Sequence, residues 1–376
     1  MTYLDNSATT KPAKEVADKI YEMLTDNFGN PSSFHKIGLD ANLAVRNARE
    51  IIAKSLSAES DEIYFTSGAT EANNLAVFSA VQANRRKGNK IVTTAIEHES
   101  VMQSIDELEK QGFDVVRLMP DAFGNITKEQ IYAAVDSSTI LVSMMYINNE
   151  VGSVLPVEHI RKAVKRANAP ALVHIDCVQA YGKVAVKPAK LGADFVSITA
   201  HKIHGPKGVG ALYIKKGTHI IPRVFGGEQE KKVRPGTEAA PLIAGFGEAV
   251  RILPDINEQS KKIKALNQYA KQRLLAIDGV ILNSSDDASD YIINAYIPTF
   301  MTSQTVVQHL SAQYAVYISN GSACAKGKKS HVLSAMKLPD GRIEKSVRIS
   351  FSRDTTKEDI DALAAAIEET VKKYPL

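Results

Sequence analysis

Hydrophobic positions in the first two-thirds of the chain fall into short, nearly unbroken runs. They are "EIYFTS" (62–67), "KIVTTA" (90–95), "DVVRLM" (114–119), "ILVSMM" (140–145), "ALVHID" (171–176), "FVSIT" (195–199) and "GALYI" (210–214). Most are rich in valine and isoleucine, and several are apolar nearly throughout, the pattern of strands buried on both faces of a mostly parallel sheet. Helical periodicity fits 40–56, 70–86, 99–111 and 157–167 between them. This alternation predicts a doubly wound α/β domain over about residues 16–255. Near residue 250 the texture changes. Residues 257–277 predict a long amphipathic helix with a basic outer face. Short strands (292–297, 316–319, 347–351) and helices (304–312, 357–373) follow, so residues from about 256 to 376 are expected to form a smaller α+β domain. The weakly periodic residues 1–15 are assigned to that domain.

Composition narrows the function classes. Of 376 residues, 44% are hydrophobic and 23% charged, which is ordinary for a globular protein with a full core. A net charge of +4 gives no reason to invoke direct nucleic-acid binding or an anionic membrane. No apolar run approaches the roughly 20 residues needed to span a bilayer. The start, "MTYLDNSATT", lacks the basic and apolar regions of a signal peptide, so a cytoplasmic location is expected. With only Cys177 and Cys324, a structural disulfide is not expected, nor is a metal site.

Ligands of an open α/β sheet bind beyond the carboxyl ends of its strands, so the polar residues following each strand are the candidates. "TSGATEANN" after the first strand puts small residues ahead of a helix starting near Thr70, which suits a phosphate or an ordinary cap. The next strands deliver His98 in "IEHES", Asn148, Asn149 and Glu150 in "INNEVG", and Asp176 and Gln179 in "IDCVQ". An acid at the end of a buried strand calls for a cationic partner. "SITAHKIHGPKGVGALYI" follows, with His201 and Lys202. It lacks the nucleotide P-loop pattern, and its glycines and Pro206 read as a turn between two strands. A lysine just past a buried strand, next to an acid on a neighbouring strand, suits bonding to an aldehyde. Pyridoxal phosphate needs such a lysine, an acid for its ring nitrogen, a phosphate cradle and a group against its ring face. Lys202, Asp176, the 68–70 turn and His98 supply that set.

At this point the chain resembles the fold-type I, class V pyridoxal-phosphate enzymes, and among them the NifS/IscS-like cysteine desulfurases. "YLDNSATT", "TSGATEANN", "EHES", "NNEVG", "HIDCVQ", "AHKIHGPKGVGALY", "RPGTE", "SNGSACAKG" and "VRISFSR" carry the resemblance, in order, over nearly the whole chain. It implies a mostly parallel seven-stranded sheet in the large domain and roles for particular residues. Lys202 would bind the cofactor covalently, Asp176 would pair with the ring nitrogen and Gln179 with the phenolic oxygen. His98 would stack on the ring and move protons. Ala69, Thr70, Thr199 and His201 would hold the phosphate, and Thr237 would reach the phosphate of a neighbouring subunit, implying a homodimer with shared sites. Asn149, also near the cofactor, and Arg348 would receive the substrate carboxylate, a task suited to the guanidinium fork.

Cys324 selects the reaction within this superfamily. It sits among small polar residues and glycine, with Lys326, Lys328 and Lys329 close behind to favour the thiolate. The resemblance implies that L-cysteine gives up its α-proton to Lys202 or His98 and that Cys324 attacks the substrate sulfur. A persulfide and L-alanine result, and a persulfide can be passed on. A selenocysteine lyase, or another class V enzyme such as a transaminase, is the alternative. The segment "AKGKKS" after Cys324 is shorter and more basic than in the iron–sulfur housekeeping members. The sulfur acceptor is therefore expected to be either an iron–sulfur scaffold or a tRNA-thiolation enzyme. Cys177, on a buried strand, is expected only to pack.

Overall fold

The computed structural model describes residues 1–321 and 329–376. Twelve strands are numbered here in chain order. The large sheet comprises β2 (Ile63–Thr66), β3 (Lys90–Thr94), β4 (Asp114–Leu118), β5 (Thr139–Met145), β6 (Leu172–Asp176), β7 (Phe195–Thr199) and β8 (Gly210–Ile214). Its order is β2-β8-β7-β6-β5-β3-β4, and only β8 runs against its neighbours β2 and β7. Each predicted strand is present to within a residue or two at either end. Every residue of β5, β7 and β8 is buried, as their apolar runs require.

One polar ribbon crosses this apolar interior. The His174 ring lies between the hydroxyls of Ser143 on β5 and Ser197 on β7, at 2.8 and 3.0 Å. Burial pulls His174 down to about 4, so the ring stays neutral, one nitrogen donating and the other accepting. The ribbon ties three parallel strands together two residues before Asp176.

The remaining strands form two small sheets. β9 (Ile281–Leu282), β10 (Ile292–Tyr296) and β12 (Ser346–Ser350) pair antiparallel, and β1 (Thr2–Tyr3) pairs parallel with β11 (Val316–Tyr317). Helices Ile256–Leu275, Ser303–Tyr314 and Lys357–Lys373 belong to this part of the chain, each with a capping side chain: Asp255, Thr302 and Thr356. The start of the chain, whose periodicity predicts no element, is held by backbone bonds at several points. Leu4 N–H donates to Tyr317 (2.8 Å), Ser350 N–H to Leu4 (2.7 Å), Thr10 N–H to His201 (2.8 Å) and Ala13 N–H to His204 (2.9 Å). Residues 4–13 thus run from the small sheets to the turn after β7.

A helix that the periodicity does not predict, Ala240–Arg251, packs against Lys14–Thr25 and Lys36–Leu56. Its sequence, "APLIAGFGEAVR", is apolar on nearly every side, so it has no polar stripe to reveal a helical period.

Gly210, the first residue of β8, passes under the turn after β2. A Cβ there would lie 2.8 Å from both the Gly68 carbonyl carbon and the Ile198 oxygen, which are backbone atoms and unable to swing aside. Gly210→Ala is therefore expected to cost about 1–3 kcal/mol in denaturant unfolding. Gly341→Ala, where an added methyl meets nothing within 4 Å, is the control, expected to be neutral or stabilising by under about 1 kcal/mol. Equal melting of both variants with the parent would contradict the close approach.

Candidate active site

The strand ends β2, β3, β5, β6 and β7 open onto a cavity of about 710 Å³. Ala69, Thr70, His98, Asn149, Asp176 and Gln179 all line it. So do Thr199, His201, Lys202 and Arg348, the last contributed by β12. The sheet and the C-terminal part of the chain therefore build the site together. Thr237 is exposed and does not line the cavity. Cys324, Lys326 and Lys328 lie outside the described residues, while Gly321 and Lys329 on either side of that segment both line the cavity.

Lys202 follows β7 in a single turn of 3₁₀ helix. Its amine does not meet Asp176, the partner expected from strand order. It donates to the carbonyls of Ser7 and, at 2.7 Å, Ala8, on the N-terminal segment. Desolvation, and then the positive charges of Arg348 and Lys183, pull its pKa from 10.5 to about 7, against the opposing pull of Asp5 and Asp176. The amine is therefore neutral, and nucleophilic, at a pH where an ordinary lysine is protonated.

Asp176 ends β6 buried, and its expected cationic partner is not a side chain: no ion pair to it occurs among the described residues. Oδ2 accepts from Asn73 Nδ2 at 2.8 Å and Oδ1 from the Val178 amide at 2.9 Å. Two neutral donors hold the carboxylate and leave its charge uncompensated beside the cavity. Asn73 comes from the helix Ala69–Asn84, so that helix supplies both the anion-attracting start and the support for the acid.

His98 caps the helix Glu99–Lys110, its Nδ1 facing Ser100 N–H at 3.2 Å and the Ser100 hydroxyl at 2.9 Å. Burial, and then Lys202, lower its pKa against the pull of Asp176 and favour the neutral ring, whose proton sits on Nε2 because Nδ1 accepts from the Ser100 amide. His201 Nδ1 meets the Thr9 hydroxyl at 3.3 Å, and burial with Lys202 and Lys207 nearby lowers it to about 4. The Thr199 hydroxyl donates to Val209 O at 3.1 Å. Gly68 precedes the helix at φ 154°, ψ −179°, a conformation that favours glycine, and nothing lies within 4 Å of where its Cβ would be. The helix start is open to a ligand there.

Arg348 is almost fully buried and already engaged. Nη2 donates to Asp5 Oδ1 at 2.8 Å, and Nη1 to the carbonyls of Asn149 (2.9 Å) and Gly321 (3.2 Å). Nε has no partner among the described residues, so a substrate carboxylate would either use it or share the guanidinium with Asp5.

Sequence reading missed the contribution of the N-terminal segment to the cavity. Ser7, Ala8 and Thr9 carry no periodic signal, and only the tertiary path of the N-terminal segment brings them here. Glu97, pushed by burial up to about 8, accepts from the Thr94 hydroxyl (2.7 Å) and Met145 N–H (3.0 Å), while its backbone carbonyl meets His331 Nε2 at 2.9 Å. Glu150 is likewise raised by burial and accepts from the Ser330 hydroxyl at 2.6 Å. Asn148 shapes that turn, its Oδ1 accepting from the amides of Glu150 and Val151 at 2.8 and 2.9 Å. Cys177 is buried in the core, its thiol pushed up by burial, as a packing role requires.

The aminotransferase class-V family model matches residues 2–363. A protein of Methanosarcina thermophila named cysteine desulfurase IscS is 39% identical over 99% of this chain and 92% of its own length. A solved NifS-like protein superposes with a TM-score of 0.93 at 35% identity, covering 99% of this chain and all of its own. A structure described as SspA in complex with cysteine superposes with a TM-score of 0.82 at 33% identity, over 95% of this chain and all of its own.

The Asp5–Arg348 pair yields a stability prediction. Asp5→Ala leaves a buried guanidinium short of its anion and is expected to cost about 3 kcal/mol in denaturant unfolding. Adding Arg348→Met in the same chain is expected to recover most of the loss. A double variant no more stable than Asp5→Ala would show that the pair is not what holds these two segments.

Proposed function

The chain belongs to the class-V aminotransferase family, and from that premise we infer that this cavity desulfurates L-cysteine. The protein is a cysteine desulfurase dependent on pyridoxal 5'-phosphate, and it converts L-cysteine to L-alanine while retaining the sulfur. One observation carries the reading of the site: the amine of Lys202, the carboxylate of Asp176 and the imidazole of His98 converge on one cavity from three different strand ends.

The residues present fit the cofactor. Asp176 lacks a cation that a protonated ring nitrogen would supply, the helix start at Gly68–Ala69–Thr70 is open, and Lys202, with its pKa lowered to about 7, is largely neutral above that pH. When bound, pyridoxal phosphate supplies an aldehyde carbon for an amine and a ring that accommodates the electron pair released at the α-carbon. Lys202 is assigned the bond to that aldehyde. Once freed by substrate, its amine takes the α-proton and later returns one, with His98 as second base. Gln179 would donate to the phenolic oxygen, and Ala69, Thr70, Thr199 and His201 would hold the phosphate. Asn149 and Arg348 are assigned to the substrate carboxylate.

Cys324 is assigned the nucleophile. Its thiolate attacks the cysteine sulfur, an S–S bond forms as the substrate's Cβ–S bond breaks, and the bonding pair stays with the carbon, which takes up protons. The sum is one enzyme thiol plus L-cysteine giving one enzyme persulfide plus L-alanine, with no external oxidant. The persulfide passes to an acceptor protein, an iron–sulfur scaffold or a tRNA-thiolation enzyme, with no direct contact to nucleic acid.

We assign residues 1–15 and about 256–376 to a small domain and about 16–255 to the cofactor-binding domain; the pairing of β1 with β11 supports the first grouping. A homodimer is assigned on the exposed apolar residues Tyr21, Leu24, Phe28, Phe34, Leu39 and Leu43 and on Thr237, which is exposed and does not line its own cavity. Among the described residues no helix is long and apolar enough to cross a membrane. A reducing cytoplasm suits a chemistry that needs a free thiol.

Cys324→Ser is expected to lower alanine and sulfide production roughly a thousandfold or more while keeping the visible absorbance of bound cofactor. Wild-type turnover by that variant would remove the persulfide mechanism. Cofactor uptake by the apoprotein should rise with pH through about 7, because a lysine whose pKa is lowered to that value becomes a neutral nucleophile above it. Stopped-flow absorbance checks this, and a rise only near the ordinary lysine value of 10.5 would contradict the desolvated amine.

A further inference from the structure

One buried lysine among the described residues remains without a role; burial, and then the charge of Arg348, lower its pKa to about 7. Lys183 stands four residues after Gln179 on the turn that leaves β6, and its ammonium donates to Gln179 Oε1 at 2.9 Å. It is 8% exposed, lies 5.4 Å from the centre of the Tyr291 ring, and borders a void of about 30 Å³ that Lys202 also lines. A lysine so placed is costly to bury, and a methionine would fill much the same volume.

The Gln179 amide has two ends of similar shape, so packing alone does not set which end points where. Here each end has a partner of opposite character. The lysine nitrogen carries N–H donors whether or not it is protonated, and it donates to the amide oxygen. At the other end Gln179 Nε2 donates to Ser7 O at 2.9 Å, the same carbonyl that receives the Lys202 amine. Reversing the amide would set its NH₂ against the ammonium and its oxygen against a carbonyl, trading two hydrogen bonds for two repulsions. Lys183 and Gln179 thus donate in one direction toward Ser7 O, and the Lys202 amine donates to the same carbonyl from the other side.

We propose that Lys183 is a positioning residue, which holds Gln179 so that its amide nitrogen, and not its oxygen, faces the cofactor's phenolic oxygen. This rests on the cofactor reading above. Lys183 also adds its charge to the field at Lys202, where Arg348 acts in the same sense and Asp5 and Asp176 oppose it. The test must separate these two effects.

The pH midpoint of the visible absorbance of the holoenzyme reports on the proton shared near the phenolic oxygen. Losing the amide donor leaves that oxygen a stronger acceptor, so the proton is held to higher pH. Gln179→Leu is expected to raise the midpoint by about one unit, and Lys183→Met to raise it comparably. In a chain already carrying Gln179→Leu, Lys183→Met is expected to add much less than it does alone. Equal shifts in the two backgrounds mean that Lys183 acts by charge only and overturn the proposal, as does an unchanged midpoint in Lys183→Met. Should that variant fail to fold, Lys183→Gln carries the same cycle, its shorter amide donor predicting a smaller rise. A wild-type holoenzyme without a visible band would sink the cofactor reading, whereas a wild-type band that Lys183→Met leaves in place sinks only this inference.

Discussion

The amine of Lys202 rests on the carbonyls of Ser7 and Ala8, and the rest of the site is arranged around that contact. These carbonyls are available because residues 6–10, beyond the bridge of Asp5 to Ser350, run to the turn after β7 outside any strand. The Ser7 and Ala8 carbonyls accept from side chains instead of a ladder. The N-terminal segment also supplies Asp5 to Arg348, Ser7 O to Gln179 and Thr9 to His201. One irregular stretch thereby links the cofactor-facing residues of the sheet to the arginine of β12.

Burial then sorts the ionisable groups. Glu97 and Glu150 are raised, while His98, His174 and His201 are lowered, and in each the main cause is desolvation of the charged form. The cavity is thus surrounded by groups pushed toward neutrality. Charge is concentrated in few places: the Asp176 carboxylate, with two neutral donors, and Arg348, with Asp5. Lys202 sits between the two regimes, near its midpoint at neutral pH, which is where a group that must bond, release and exchange protons is most useful.

The seven strands of the large sheet and the main helices on it were legible in the chain because burial on both faces leaves continuous Val/Ile runs that no surface element imitates. Because the ends of parallel strands converge at one edge, listing the polar residue after each run was enough to collect Lys202, Asp176, His98, Gln179 and Asn149 in one place. The helix Ala240–Arg251 escaped because it is apolar all round, and β1 and β9 escaped because two residues are too few to show a period.

What the order of residues determined by itself was therefore the list of chemical groups and the edge they share. It did not determine which group pairs with which. Strand order placed Lys202 beside Asp176, yet the lysine went to Ser7 and Ala8, and the acid went to Asn73 and a backbone amide. It left Arg348 either a carboxylate receptor or a member of an ordinary strand-end ion pair without naming a partner, and Asp5 holds it from 343 residues away. These partners lie on segments without periodicity, or on the opposite end of the chain, and hydrogen-bond donors carry no mark of their acceptors in sequence. Only the packed structure, where most buried polar atoms find a hydrogen-bond partner, decided among them.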